Sequence, residues 1–154
     1  MIQESARPGP VAARILAATD GSESAGRAVE RAAQLGKALG AELVIVTVGP
    51  DRLSAAEASE AARNGIPEGE LLERFAREIL LDAKKVARER GAPEVRTLHA
   101  IGDAAQVLLE LARREQAGTI VVGRRGLGRL AGLLLGSVSQ KLVSLAPCAV
   151  VVVP

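Results

Sequence analysis

The stretch that decides the fold runs from Ile15 to Val48 and reads ILAATDGSESAGRAVERAAQLGKALGAELVIVTV. It begins with a short apolar run, Ile15-Leu16-Ala17-Ala18, that stops at Thr19-Asp20-Gly21-Ser22, where the chain must turn. Ala25, Ala28, Val29, Ala32, Ala33, Leu35 and Leu39 then recur at helical spacing, so a strand feeds directly into an amphipathic helix. Ser22 is placed to cap that helix and Gly40 to stop it. Leu43 to Val48 is a continuous run rich in β-branched residues and bounded by Gly49-Pro50. Apolar character without alternation predicts a strand buried on both faces of a parallel sheet.

The same alternation continues to the end of the chain. Residues 51–69 are the least determined stretch: Ser54-Ala55-Ala56-Glu57 has the form of a capping box for a short helix, and Asn64-Gly65-Ile66-Pro67 breaks it. A longer helix is predicted from Glu68, with Leu72, Phe75, Ile79, Ala83 and Val86 on one face and Gly91 at its end. Val95 to Ile101 reads as a strand, and Gly102-Asp103 opens a helix with Val107, Leu108, Leu111 and Ala112 inward and Gly118 closing it. Thr119 to Val122 is a strand, Gly123 to Gly136 a glycine-rich loop and Ser137 to Leu145 the last helix. Pro147 ends that helix, and Ala149 to Val153 is the last strand. Pro8-Gly9-Pro10 makes residues 1–12 a flexible lead, and residues 13–154 read as one domain. Strands that alternate with helices predict an α/β fold, a single doubly wound open parallel sheet of five strands with helices on both faces.

Composition narrows the function. The chain is 48% apolar and carries a net charge of +2, but aromatic residues make up only 1%, a single Phe75. It therefore lacks the stacking platforms of single-stranded nucleic-acid binders, and the small basic surplus is a weak reason to invoke DNA. One His and one Cys cannot build a Cys/His zinc site, and a lone Cys148 excludes an internal disulfide. The N-terminus lacks a signal-peptide apolar core, and no apolar run approaches the ~20 residues that span a bilayer. The expectation is a soluble, cytoplasmic protein with no membrane and no nucleic-acid partner.

In open α/β sheets, ligands bind beyond the carboxyl ends of the strands where strand order reverses. Two loops at such ends carry unusual residues: Asp20-Gly21-Ser22 and the stretch GRRGLGRLAGLLLGSVS from Gly123 to Ser139. Gly136-Ser137-Val138-Ser139 opens a helix, so free N–H groups and the positive end of the helix dipole face the loop. Backbone donors, a hydroxyl on Ser137 or Ser139 and the nearby Arg124, Arg125 and Arg129 suit a polyphosphate. The plainer alternative is that the glycines only shape a loop, Ser137 only caps its helix and the arginines only solvate a turn, but a loop of this length in a compact domain is usually functional. Gly126-Leu127-Gly128-Arg129-Leu130-Ala131 mimics a dinucleotide fingerprint; with no Asp or Glu after Gly126 to hold a ribose, that reading fails. There is also no G-x-x-x-x-G-K-[ST] phosphate loop and no G-x-S-x-G nucleophile elbow.

Gly123-x-x-Gly126, nine residues, then Gly136-Ser137 resembles the G-x2-G-x9-G-[ST] pattern of ATP-binding universal stress proteins. The opening strand, Asp-containing turn, helix and second strand are similar to that family as well, as is Gly102-Asp103, and the likeness covers almost the whole chain from Arg14. The resemblance implies strand order 3-2-1-4-5, which sets the Asp20 and Gly123 loops across the switch point. Position by position, it implies that Asp20 and Val48 line an adenosine pocket, with Val122 and Gly123 beside base and ribose. Gly126, Gly136, Ser137 and Val138 would hold phosphates, with Arg125 and Ser139 completing the set. The ligand would be ATP (or ADP or AMP), with Mg2+ or Mn2+ carried by the phosphates rather than by protein ligands. The family commonly has a small or hydroxyl residue where this chain has Arg124, which leaves the ribose-side contact open.

Asp20 reads either as an N-cap or as a ligand contact, and His99 either pairs with Asp103 or packs. Cys148, at the start of an apolar strand, reads as a buried, inert thiol. No general base stands beside a nucleophile. The expected activity is regulatory nucleotide binding, with ATP hydrolysis far below the ~10 per second of dedicated enzymes. The alternatives are a slow ATPase or phosphoryl-transfer enzyme, or a dimeric scaffold that binds protein partners with an empty pocket. Ala149 to Val153 would be an edge strand in the implied order, so a homodimer through residues 149–153 is expected.

Overall fold

The computed structural model describes residues 14–127 and 135–154. The predicted lead over residues 1–12, Arg129 and most of the false dinucleotide fingerprint lie outside the described residues. Ten elements follow in order: β1 (Ile15–Ala18), α1 (Glu23–Leu39), β2 (Glu42–Gly49), α2 (Ala55–Arg63), α3 (Glu68–Glu89), β3 (Glu94–Ile101), α4 (Ala104–Arg114), β4 (Thr119–Gly123), α5 (Ser137–Leu145) and β5 (Ala149–Val153). The strands form one sheet in the order β3-β2-β1-β4-β5, with every pairing parallel. Both the doubly wound α/β class and the implied strand order are therefore what the chain adopts.

The continuous apolar strands split into two cores because successive side chains point to opposite faces. Ile15, Ala17, Leu43, Ile45 and Val121 pack with α1 and α3 on one face. Leu16, Val44, Val46, Ile120 and Val122 pack with α4 and α5 on the other. Helix ends follow their local chemistry. Ser22 accepts a hydrogen bond from Ala25 N, and Gly40 ends α1 at φ 62°, a left-handed conformation that costs glycine nothing. Ser54 and Glu57 form the reciprocal capping box of α2. Ala146 is extended before Pro147, as the ring of a following proline demands.

Two expectations are corrected. The buried face of α3 is Ala76, Leu80, Ala83 and Ala87 rather than the line through Leu72, Phe75 and Ile79. Small alanines let the helix sit close to the sheet, while the larger side chains flank it and Phe75 is 39% exposed. Helix α4 ends at Arg114, before Gly118. Gln116 takes the positive φ there, and Ala117 N closes the end on Ala112 O. Gly118 N instead donates to Arg14 O and leads into β4.

At the amino ends of the strands sits a ring of charges. Glu42 accepts from Arg14 Nε at 2.5 Å and from Arg96 Nε at 3.0 Å. Glu115 accepts from Arg96 at 2.6 Å and from Arg14 at 3.2 Å. The Arg96 guanidinium holds both carboxyls below the usual carboxylate range, and the carboxylates, Glu115 first, push Arg96 further up.

Candidate functional site at the carboxyl ends of the strands

The sheet's strand order reverses at β1, which pairs with β2 on one side and β4 on the other. The loops that leave β1 and β4 consequently diverge over the sheet and leave a cleft of about 460 Å³. All ten residues singled out in the sequence line it: Asp20, Val48, Val122, Gly123, Arg125, Gly126, Gly136, Ser137, Val138 and Ser139. Thr19, Val46, Ala104, Leu108 and Gln140 line it too and were missed. For Ala104 the Gly102-Asp103 turn was the available signal. Leu108 reads in sequence only as a core residue of α4, which it also is.

Asp20 does not cap α1, since Ser22 does. Its Oδ1 accepts from Ser22 N at 2.9 Å and its Oδ2 from Leu127 N at 2.9 Å, so one carboxylate ties the two loops together. That tie explains Gly126. A Cβ at this position would overlap Asp20 Oδ2. Gly123 is equally constrained, because a Cβ there would lie 2.5 Å from Ser24 Oγ and 2.8 Å from the Ser24 carbonyl carbon. Gly136 differs. Its φ is −70°, and a Cβ would meet Arg124 O at 3.4 Å and Arg125 Cα at 3.5 Å, which are ordinary contacts. Neither backbone strain nor close packing among the described residues requires glycine at 136.

Gly136 is the N-cap of α5 and has no side chain to offer, so among the described residues no side chain caps the first turn. Ser137 is the first helical residue rather than the cap, and it is exposed. Ser139 is 2% exposed, and its hydroxyl lies 3.0 Å from both Arg124 O and Gly136 O. Its single proton is committed to backbone carbonyls, which leaves Ser137 as the hydroxyl free to face a ligand. The Arg124 peptide is held from both sides: its N–H donates to Val153 O at 2.6 Å, and its carbonyl accepts from Gly136 N at 2.8 Å. The Arg124 residue is exposed and outside the cleft lining, whereas Arg125 is part of it.

Other sequence candidates lie elsewhere. His99 is exposed on the edge strand β3, near α3. Asp103 does not pair with it. Asp103 caps α4 by accepting from Gln106 N, which with Lys141 holds its carboxyl low. Cys148 is half-buried, and burial pushes its thiol up, away from reactivity. No helix among the described residues is long and apolar enough to cross a membrane.

The sequence pattern of the universal stress protein family matches residues 12–154. The universal stress protein YxiE of Bacillus subtilis is 35% identical over 149 residues, covering 91% of this chain and 97% of its own. A universal stress protein solved in complex with cAMP is 31% identical, with a TM-score of 0.68, and the match covers 92% of this chain and 95% of that one. A universal stress protein from Archaeoglobus fulgidus in complex with dAMP is 20% identical with a TM-score of 0.65, covers 92% and 97% of the two chains, and speaks for the fold alone.

Proposed function

Since the chain belongs to the universal stress protein family, we propose that it is a cytoplasmic, ATP-binding regulatory protein of the stress response. Residues 13–154 would form its nucleotide-binding domain. The observation that carries this reading is the convergence of Asp20, Val48 and the Gly123–Ser139 set on one cleft. Its volume is in the range of small-ligand sites. Val46, Val48, Leu108 and Val122 offer apolar contact to a base. The N–H groups of Ser137, Val138 and Ser139, which no side chain among the described residues caps, together with Arg125, suit phosphates. The cAMP complex of the 31% identical relative supports an adenine ligand. A divalent cation such as Mg2+ or Mn2+ would enter on the phosphates, in keeping with how Mg2+ is usually held.

Gly136 is the sharpest test, because no contact among the described residues accounts for its glycine, which fits the approach of a ligand oxygen to the backbone. Gly136→Val is expected to abolish ATP binding by calorimetric titration, and Gly136→Ala to weaken it, with circular dichroism unchanged. A folded Gly136→Val that binds ATP like the parent would overturn the assignment. Edge strand β5 supports a homodimer, since two copies could pair their open edges by two-fold symmetry. Light scattering should give twice the monomer mass at micromolar concentration; a monomer would refute that pairing.

A further inference from the structure

A second cavity, of about 560 Å³, lies between α1 and α3 and shares only Thr19 with the nucleotide cleft. Three observations on it are independent of one another. The first is Phe75, the only aromatic residue of the chain. It lines this groove and stays 39% exposed, because the alanines of α3 rather than Phe75 meet the sheet. The second is Gly26, inside α1. A Cβ there would meet nothing within 4 Å, whereas one at Gly36 would lie 3.3 Å from Ala41 O. A helix-interior glycine costs stability relative to alanine, and no contact among the described residues calls for this one. Its absent side chain widens the groove. The third is charge. The ionisable residues that line the groove are Glu57, Glu78 and Asp82, with no lysine, arginine or histidine among them. Glu57 accepts from Ser54, and Glu78 pairs with Arg74 at 3.3 Å. Asp82 makes no hydrogen bond or ion pair among the described residues.

We propose that this groove is a binding site for a small amphiphilic organic cation, an aryl- or alkylammonium. The apolar body lies along Phe75 and Ile79 in the space that Gly26 leaves open, and the ammonium is met by Asp82 and Glu78. An aromatic ring and carboxylates that line one groove can attract a cation by quadrupole and by charge together, and an apolar pocket with a few polar groups is the usual form of a small-ligand site. The site does not depend on the nucleotide assignment.

Monodansylcadaverine, a fluorescent aryl sulfonamide with a primary ammonium, is a suitable probe, since the chain has no Trp or Tyr to interfere. Titrated into the full chain, it should bind saturably at one per chain, and its N-acetylated analogue, which lacks the charge, at least tenfold more weakly. Gly26→Leu should fill the groove and weaken the dye at least tenfold with the circular dichroism intact. Should Gly26→Leu fold poorly, Gly26→Ala, which fits the space without contact, should still weaken it. Asp82→Asn should weaken the cation and leave the acetylated analogue unchanged. Equal binding of the two dyes, undiminished binding to folded Gly26→Leu, or stoichiometric displacement by ATP would each overturn the proposal. So would a Gly26→Leu variant that changes oligomer mass and not dye affinity, since a second copy would then cover the groove.

Discussion

The two ends of this sheet are built on opposite principles. At the amino ends of the strands, Arg14, Glu42, Arg96 and Glu115 satisfy one another in a closed ring. At the carboxyl ends, glycines and a helix start without a side-chain cap leave backbone donors facing a cleft. The same parallel strands supply both. A parallel sheet points all its carboxyl ends one way, so loops there can diverge at the switch point and hold a ligand. Charges at the other end need no ligand, because their partners come from β2, β3 and the α4–β4 connection. The lesson is that a charged cluster need not mark a site. Here the side-chain ion pairs serve the fold, and the less conspicuous glycine loop is the one proposed to bind nucleotide.

The largest effect should come from Gly123, at the carboxyl end of β4. Gly123→Ala drives a Cβ into the backbone of Ser24 at the start of α1, and such overpacking costs about 2–3 kcal/mol. Chemical denaturation should show that loss together with weaker ATP binding; an unchanged midpoint would mean that α1 does not rest on this strand end.

Next comes the ring. Glu115→Gln leaves Arg96 and Arg14 short of a counter-charge. With the arginines about a third exposed (35% and 38%), the loss should be about 1 kcal/mol rather than the several of a buried pair. Both carboxyls are held below their ordinary value in the folded chain, so they bind protons less readily folded than unfolded. Their contribution is therefore full above about pH 4.3 and is lost as pH falls below it. Thermal melts between pH 7 and 3 should fall less steeply for Glu115→Gln than for the parent, while ATP affinity at pH 7 stays level. Altered affinity would break the separation of the two ends.

The smallest effect is expected at Ser137, whose hydroxyl is exposed and caps nothing. Ser137→Ala should weaken ATP binding by about 1 kcal/mol, one hydrogen bond, with no change in melting temperature. Ser139→Ala should do the reverse in kind. It removes a buried hydroxyl whose proton is shared between the Arg124 and Gly136 carbonyls, so loss of stability should accompany any loss of binding.

Much of this was legible in the residues alone. Alternation of continuous apolar runs with helical periodicity, punctuated by Ser22, Gly40, Ser54 and Pro147, determined the elements, because caps and breakers act within a few residues. The spacing Gly123, Gly126, Gly136-Ser137 determined which loop to suspect. What only the tertiary structure decided depends on atoms distant in sequence. That Gly126 is glycine because of Asp20, and Gly123 because of Ser24, cannot be read from either loop by itself. The buried face of α3 departs from the one its periodicity predicts because periodicity weighs large side chains, whereas close packing on a sheet selects the alanine stripe. The division of labour between Ser137 and Ser139 likewise appears only when the helix is placed, since two positions along its first turn bury one hydroxyl under the Arg124 carbonyl and turn the other to the water.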